Sequence, residues 1–341
     1  MGLFRRIGRA RLASQVIKRL RRAGVPDARY QSASFTVRCT RPGDDGPSVL
    51  RLDEVRRGHV AEFVAGFLRA PGLPATWAEV RPLLRPVLRS AIPPSDVGVP
   101  LSRPAFPYLA EFVVVDQPDT MTYVNAEHGW GVTDDEVFAA ARANLSAATL
   151  MGATDEPVVV QFVDDGDAYW TSHLLLDGWL AGLAGQVGGR PVAFAPERGT
   201  LLVTADGSEF LPGLFAQAEA AFLASPRAIS PMAYVPDEDG RTVPYPATPD
   251  SPMEICVRRA GAVLAARAYE RQAESLPLAA ELLITGQGRT RAVWPADGPA
   301  LLPRADEVQY GDTVKPWDEL AAHLKPQGLT PERWRAEKWP T

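Results

Sequence analysis

The sequence predicts an α+β fold in which antiparallel β-hairpins pack against helices in two layers. The first observation is a recurring pattern: a short apolar stretch, a proline-containing turn, a second apolar stretch and then a helix-like segment. The five turns are residues 42–47, 117–119, 196–199, 236–240 and 295–299. The second observation is a helix-start signal, in which Thr133 stands three residues before Glu136. Proline, glycine and aspartate at the turns favour tight connections between strands.

Composition places the chain among globular proteins. It has 341 residues, of which 46% are hydrophobic and 23% charged, so it can form one large or two smaller domains. It contains 32 prolines among 341 residues, a larger fraction than the usual one of about 5%. The two cysteines, Cys39 and Cys256, lie in apolar patterns and lack the spacing of a zinc site. We therefore expect two reduced, buried thiols in a cytosolic protein.

The first 22 residues are strongly basic, while the chain as a whole has a net charge of −5. These basic residues interrupt every apolar window, so neither a secretory signal nor a membrane span is expected. A helix of this composition either docks on the protein or binds an anionic surface, such as a membrane or a nucleic acid. The residues concerned are Arg5, Arg6, Arg9, Arg11, Lys18, Arg19, Arg21 and Arg22.

The region after this segment predicts the first lobe. Phe35, Val37 and Cys39 alternate with polar residues, as in a half-buried strand. Asp53 is placed to cap a helix. The apolar positions of that helix have helical spacing: Val60, Phe63, Val64 and Phe67.

A second helix is expected from about Trp77 to Leu88, kinked or shortened by Pro82 and Pro86. Residues 91–107 contain five prolines, which is typical of an extended connector.

The best local signal lies in the hairpin and helix that follow. Residues 112–115 form a continuous apolar run, which indicates a buried strand, and residues 121–124 are its expected partner. The pair Thr133 and Glu136 forms a capping box, and Val132 and Val137 hold the positions of a hydrophobic staple. A helix is therefore expected from Thr133 to about residue 147.

The second lobe repeats the alternation of strands and helices. Residues 158–163 predict a buried strand, and Pro212 is placed to open a helix. Pro316 is placed to open a short last helix, and the tail from Pro326 is expected to be either docked or mobile. Helices are expected over 172–187, 212–224 and 252–275, and hairpins over 191–204, 232–245 and 289–302.

We divide the chain on this basis into four segments. They are a basic N-terminal helix (1–24), a first α+β lobe (25–150), a second α+β lobe (151–312) and a C-terminal helix and tail (313–341).

The densest acidic cluster is formed by Asp164, Asp165 and Asp167. Three carboxylates at the end of a strand can bind Mg²⁺ or Ca²⁺, and with His173 they suggest a metal-dependent hydrolase. However, a calcium loop requires a closing glutamate that this segment lacks. A turn with a helix cap explains the same residues, because aspartate and glycine favour turns.

Motifs for covalent or cofactor chemistry are not found in the sequence. It contains no Gly-x-Ser-x-Gly motif, and Ser172 next to His173 does not make a dyad, because neighbours on a helix point in different directions. Residues 286–288 lack the third glycine of a dinucleotide fingerprint. We therefore predict no cofactor.

Two tryptophans are candidates for contacting a ligand or partner. Trp130 stands between Gly129 and Gly131, so its indole either fills the core or faces a ligand. Trp170, with His173 close behind it, is the second candidate.

Two blocks of the sequence resemble the YtpQ-like bacterial proteins, a family of unknown function. Residues 112–145 are similar to the signature block of that family, and residues 169–180 to its next block. Residues 52–67 fit its N-terminal region loosely, while the proline connector, the longer turns and the Trp-bearing tail depart from it. The resemblance implies a cytosolic bacterial protein with an α+β fold. The family has no established activity or catalytic residues, so no site is transferred to this chain. The motifs are Asp119-Thr120-Met121, Trp130-Gly131-Val132-Thr133, Glu136 and Ser172-His173-Leu174-Leu175.

The sequence thus favours a binding or interaction protein without a catalytic centre, using Trp130, Trp170 and His173. The metal-dependent hydrolase at 164–167 and peripheral membrane association through the basic N-terminus stay open as alternatives.

Overall fold

The computed structural model describes residues 2–41, 48–52, 55, 58–69, 73–91, 100–118, 120–145, 152–163, 169–295 and 298–339. The fold is α+β: antiparallel strand pairs dominate the sheets, and helices cover them. This confirms the fold class expected from the sequence.

The chain forms two compact units. The first comprises Met1–Val87, Ile92–Arg103 and Glu111–Ser146, and the second comprises Leu88–Ala91, Pro104–Ala110 and Ala147–Thr341.

The first unit begins with a long helix and a three-stranded sheet. Its helices are α1 (Gly2–Arg22), α2 (Val60–Arg69), α3 (Trp77–Val80) and α4 (Asp134–Ala143). Its strands are β1 (Arg29–Gln31), β2 (Thr36–Cys39), β3 (Ser48–Arg51), β4 (Leu84–Ser90), β5 (Ser102–Phe106), β6 (Leu109–Gln117) and β7 (Thr120–Tyr123), of which β4, β5 and β6 also contribute residues to the second unit.

Helix α1 packs on the first unit through one apolar face. Ala13, Val16 and Leu20, at helical spacing, are buried in a cluster with residues of β2, β3 and α2. The guanidinium of Arg9 lies 4.5 Å from the ring centre of Phe35, a cation–π contact. The basic segment therefore takes the docked arrangement, and five of its basic side chains are exposed: Arg11, Lys18, Arg19, Arg21 and Arg22.

The prediction of a helix from Trp77 to Leu88 is wrong for the residues after Val80. Helix α3 ends there, a 3₁₀ turn spans Arg81–Leu83, and β4 follows. Pro82 and Pro86 lack the amide hydrogens that an α-helix would need, and pairing with β6 fixes the segment as a strand. The connector expected over 91–107 likewise contains a strand, β5, while residues 92–99 are outside the described part of the chain.

The hairpin of β6 and β7 and the start of α4 are confirmed. Residues 112–115 of β6 are at most 1% exposed, and Val114 pairs with Tyr123. The Glu136 amide donates to Thr133 Oγ1 at 3.3 Å, and the Thr133 amide donates to Glu136 Oε2 at 2.8 Å. The helix ends at Ala143, earlier than expected, because Asn144 forms its C-cap.

The second unit contains the remaining elements. Its helices are α5 (Ala184–Val187), α6 (Leu211–Ala224), α7 (Glu254–Ala273) and α8 (Trp317–Leu320). Its strands are β8 (Val160–Val163), β9 (Pro191–Glu197), β10 (Thr200–Ala205), β11 (Ala233–Pro236), β12 (Thr242–Pro244), β13 (Glu281–Ile284), β14 (Thr290–Val293), β15 (Ala300–Pro303), β16 (Glu307–Tyr310), β17 (Thr313–Pro316), β18 (Lys325–Pro326) and β19 (Arg333–Ala336).

A five-stranded antiparallel sheet, in the order β12-β11-β9-β10-β8, holds the centre of this unit. Side chains alternate across it as strands require. Phe194 and Leu202 pack with α6 on one face. Ala193, Leu201 and Val203 pack on the other face with apolar residues from the segment 174–187.

The segment expected as one helix over 172–187 is two shorter pieces. A 3₁₀ helix spans Trp170–Leu175, and a second, Ala181–Leu183, runs into α5. Gly178 lies between them with φ at +77°, a conformation that ends regular helix. The Gly178 amide donates to the carbonyl oxygen of Gly240 at 2.9 Å. The hydrophobic spacing was therefore compatible with a helix that the backbone does not form.

The prediction of a fifth hairpin over residues 289–302 is also wrong. Strand β14 pairs with β13 and, in parallel, with β16, whereas β15 pairs with β19 in a separate sheet. The hairpin forms instead between β13 and β14. Its turn contains Gly288 with φ at +70°, and a Cβ there would lie 2.5 Å from the amide nitrogen of Arg259.

The C-terminal tail is docked. Arg333 in β19 is fully buried, and its guanidinium donates to Gln272 Oε1 and to the carbonyl oxygens of Tyr269, Ala280 and Leu301 at 2.6–3.1 Å. Burial lowers the pKa of Arg333 to about 10. These four bonds anchor β19 to α7 and to the strands beside it.

Candidate functional site

The residues singled out in the sequence lie in different parts of the structure. Trp130 belongs to the first unit, and Trp170 and His173 to the second. Asp164, Asp165 and Asp167 lie outside the described residues. Within the described ranges, no group of three or more histidine, cysteine or acidic side chains is placed to hold a metal ion. The arrangement of the carboxylates in the hydrolase alternative is therefore outside what the structure describes.

The 3₁₀ helix Trp170–Leu175 positions the second-unit candidates. Tyr169 precedes it with φ at +50°, a left-handed conformation that is uncommon for a residue with a side chain. The Tyr169 carbonyl oxygen accepts from the Ser172 amide at 2.8 Å and lies 3.3 Å from His173 Nδ1. This turn directs the His173 ring into the core and leaves Trp170 partly exposed.

Four aromatic rings of the second unit lie in contact, and we call them the second aromatic cluster. They belong to Phe162, Trp170, His173 and Trp179. The His173 ring lies 5.2 Å from Trp170 and 4.9 Å from Trp179, between centroids. Phe162 lies 4.8 Å from Trp170 and 5.8 Å from Trp179. Phe162 and His173 are buried, whereas both indoles are partly exposed. Two indoles thus present aromatic surface around a buried imidazole.

The indole nitrogen of Trp179 is the unusual atom of this cluster. Nε1 is buried, yet it makes no hydrogen bond to any described residue. Buried polar groups are nearly always paired, and leaving one unpaired costs about 1–3 kcal/mol. A donor in this state, on an indole that is itself partly exposed, is suited to an acceptor that comes from outside the chain.

The first unit holds a comparable group, the first aromatic cluster: Trp77, His128 and Trp130. The Trp130 ring stacks on His128 at 5.0 Å and lies 6.4 Å from Trp77. Its Nε1 donates to the carbonyl oxygen of Pro74 at 3.1 Å. Gly129 and Gly131, with φ at +70° and +72°, give the backbone the turn that brings the indole inward.

Both ring nitrogens of His128 also have partners. The Trp130 amide donates to Nδ1 at 3.4 Å, and Nε2 lies 3.3 Å from Asp134 Oδ1. The first aromatic cluster therefore packs on the core beside α4 with Trp130 Nε1 and both His128 nitrogens paired, as expected for a structural group.

Two histidines contact carboxylates without forming a catalytic arrangement. His59 Nδ1 lies 2.6 Å from Glu62 Oε2 in an exposed pair, and His128 contacts Asp134. In the part of the chain that the structure describes, neither of them also hydrogen-bonds to a hydroxyl group. The contacts they make are typical of surface and capping interactions.

The basic helix contributes one shallow cavity of about 390 Å³, lined by Ser14, Ile17, Lys18, Arg21 and Arg22. Arg21 donates to the carbonyl oxygen of Ala28 at 3.1 Å. Lys18 and Arg22 are exposed. Among the described helices, none combines the length and the apolar character needed to cross a bilayer.

Sequence reasoning missed Trp179 and Phe162 as members of the site. Trp179 reads as part of a helical apolar stripe, and Phe162 as part of a buried strand. The neighbouring Gly178 is the one local signal, because glycine weakens a helix and here marks the break that turns Trp179 toward His173.

No protein-family model, curated protein or solved structure matches this chain. The resemblance to the YtpQ-like proteins therefore stays a prediction.

Proposed function

We propose that this chain is a cytosolic binding protein without a catalytic centre, and that its ligand contacts Trp170 and Trp179. One observation carries the proposal: Trp179 Nε1 is buried without a hydrogen-bond partner among the described residues, in a cluster whose two indoles, those of Trp170 and Trp179, are partly exposed. Membership of the YtpQ-like family, inferred from sequence motifs, is compatible with such a role.

The arrangement favours a ligand with two chemical features. A planar or apolar group would stack on the partly exposed indoles, since aromatic surface gains most from such contacts. An acceptor oxygen would pair with Trp179 Nε1 and remove the cost of its burial. His173 serves as the rigid support between the indoles, because its ring is fully buried.

Anilinonaphthalene sulfonate has both features and fluoresces when it leaves water, so it is a suitable probe. We expect saturable binding to the native protein, at a stoichiometry of one at this site. Trp179→Phe keeps an aromatic ring but removes the donor, so the affinity should fall about tenfold, which corresponds to about 1.4 kcal/mol.

The matched control is Trp130→Phe, which makes the same chemical change in the first aromatic cluster and should leave probe affinity unchanged. Equal affinities for all three proteins would remove the proposed site. Co-purified small molecules, identified by mass spectrometry in the native protein and in Trp179→Phe, then point to the natural ligand.

A second candidate function is association with an anionic surface through α1. It is favoured by the exposed cations beside the cavity on that helix, Lys18 and Arg22. The apolar face of α1 is already buried in the first unit, so binding would be electrostatic and sensitive to salt.

Deleting α1 would expose the core, so the test uses charge reversal. We expect Lys18→Glu with Arg22→Glu to reduce co-sedimentation with phosphatidylserine vesicles if this function is real. Unchanged co-sedimentation, or none in the native protein, would dismiss it.

A further inference from the structure

Strand β8 forms one outer edge of the five-stranded sheet. It pairs with β10, from Thr200 opposite Val163 to Val203 opposite Val160. Over the described ranges, no strand pairs with its other edge. Alternate backbone amides and carbonyls of β8 therefore face away from β10 with hydrogen-bonding capacity left over.

Natural proteins usually protect such edges with charged residues or proline. The outer strands of the other sheets in this unit, and the opposite edge of this one, follow that rule: β12 contains Pro244, β13 Glu281, β15 Pro303, β17 Lys315 and Pro316, and β18 Lys325 and Pro326. Strand β8 has neither. Residues 158–163 are uncharged and free of proline, and Val159 and Val163 are 40% and 65% exposed.

We propose that β8 pairs antiparallel with β8 of a second copy of this chain, in a register centred on Gln161. This register places Gln161 opposite the partner's Gln161, Val160 opposite the partner's Phe162, and Val159 opposite the partner's Val163. The two-fold axis passes through the Gln161 pair, and the other two pairs each occur a second time by symmetry.

The sequence of the strand is complementary to itself in this register. Pairs of aromatic and β-branched residues stabilise antiparallel strands, and like charges opposite each other destabilise them. In this register, each pair joins either two apolar side chains or the two Gln161 amides, and no charged residues face each other. The two exposed valines would be covered by each other. Because a two-fold axis relates the copies, the contact closes on itself and does not propagate into a fibre.

The pairing of one short strand limits the strength of the dimer. Stable interfaces bury on the order of 1,200–2,000 Å² in total, which is more than a few paired residues supply. We therefore expect a reversible dimer whose population rises with protein concentration. This inference is independent of the ligand site proposed above, because it rests on the edge of β8 alone.

Sedimentation velocity over a range of protein concentrations tests the dimer. The native chain of 36.9 kDa should move toward twice that mass as concentration rises. Val163→Lys should stay monomeric, because each lysine would introduce an unpaired charge at the dimer edge. Its side-chain position is exposed, so the fold should survive, as circular dichroism would verify.

The matched control is Val314→Lys, which places the same substitution at an exposed valine of another outer strand, β17. It should dimerise as the native chain does. A native chain that stays monomeric at all concentrations, or a Val163→Lys variant that dimerises normally, would overturn the proposal.

Cross-linking tests the register. Gln161→Cys should form a disulfide-linked dimer under mild oxidation, since the two introduced thiols face each other. Val163→Cys should link far less, because it faces the partner's Val159. The native chain controls for Cys39 and Cys256. Preferential linking through Val163→Cys would contradict the antiparallel register.

Discussion

The two aromatic clusters contain the same kinds of side chain and differ in how their polar atoms are paired. In the first unit, Trp130 Nε1 donates to Pro74, and both nitrogens of His128 have partners. In the second unit, Trp179 Nε1 is buried without an acceptor in the described residues. A tryptophan beside a histidine is therefore no sign of a binding site by itself. The unpaired donor is what distinguishes the second cluster.

The largest effect should come from removing a paired donor deeper in the second unit. Arg333→Met would remove the guanidinium donor from four oxygen acceptors, of which the Leu301 carbonyl keeps the Ala280 amide as a second donor. Unpaired buried acceptors cost about 1–3 kcal/mol each, so the free energy of unfolding should fall by 3 kcal/mol or more, at about the level of a broken buried ion pair. Urea denaturation measures it.

Arg335→Met, at an exposed position of the same strand, is the control and should change stability little, because exposed ion pairs contribute little. If Arg333→Met were as stable as the native protein, pairing of buried donors would not govern this fold, and the comparison between the two clusters would lose its basis.

Probe binding should show the next largest effect. Trp170→Ala removes one of the two partly exposed indoles, so the affinity for anilinonaphthalene sulfonate should fall at least tenfold. Trp77→Ala removes an indole from the first aromatic cluster and should leave that affinity unchanged. Fluorescence titration of both variants gives the ratio. A greater loss of probe affinity in Trp77→Ala than in Trp170→Ala would show that the probe binds to the first unit, contrary to the proposal.

Conservative indole substitutions should separate the clusters by stability. Trp130→Phe removes a paired donor and should lower the free energy of unfolding by about 1 kcal/mol, besides any packing change. Trp179→Phe removes a donor that has no partner among the described residues, so it should be neutral or stabilising. Chemical denaturation of both proteins measures the difference. A larger loss in Trp179→Phe would show that its Nε1 has an acceptor in the native protein.

The smallest effect concerns the helix that follows the first aromatic cluster. The Thr133 amide and hydroxyl donate to Glu136 and hold the pKa of its carboxyl below the ordinary 4.5. Because the folded-state pKa is the lower one, this stabilisation is present above the ordinary value and is lost as the pH falls through the lowered pKa. The advantage of the native protein over Glu136→Ala should therefore shrink under acid, as thermal melts at several pH values would show.

Local signals predicted the parts of the fold that local forces decide. The capping box at Thr133 and the hairpin of β6 and β7 depend on residues near each other in sequence, and both are present. The fold class followed from the repetition of such units.

Pairing between distant strands decided the rest. The segment 289–302 has the composition of a hairpin, but β14 pairs with β16, and β15 with β19, from the tail. The segment 158–163 is apolar enough for a central strand, yet it lies at an edge with Val163 mostly exposed. The residues near each strand in the sequence do not indicate which strand it will pair with.

The candidate site was predicted only in part for the same reason. Trp170 and His173 were visible because they are close in sequence, whereas Phe162 and Trp179 reach them through the fold. The pairing of a single indole nitrogen depends on every surrounding carbonyl, so no sequence pattern could indicate it.

The most direct test follows the eight indole N–H signals in a ¹H–¹⁵N spectrum, with Trp179 and Trp130 assigned through their phenylalanine variants. On titration with anilinonaphthalene sulfonate, the Trp179 signal should shift with saturation as its donor finds an acceptor, while the Trp130 signal stays in place. Binding of the probe without a shift at Trp179 would contradict the proposed site.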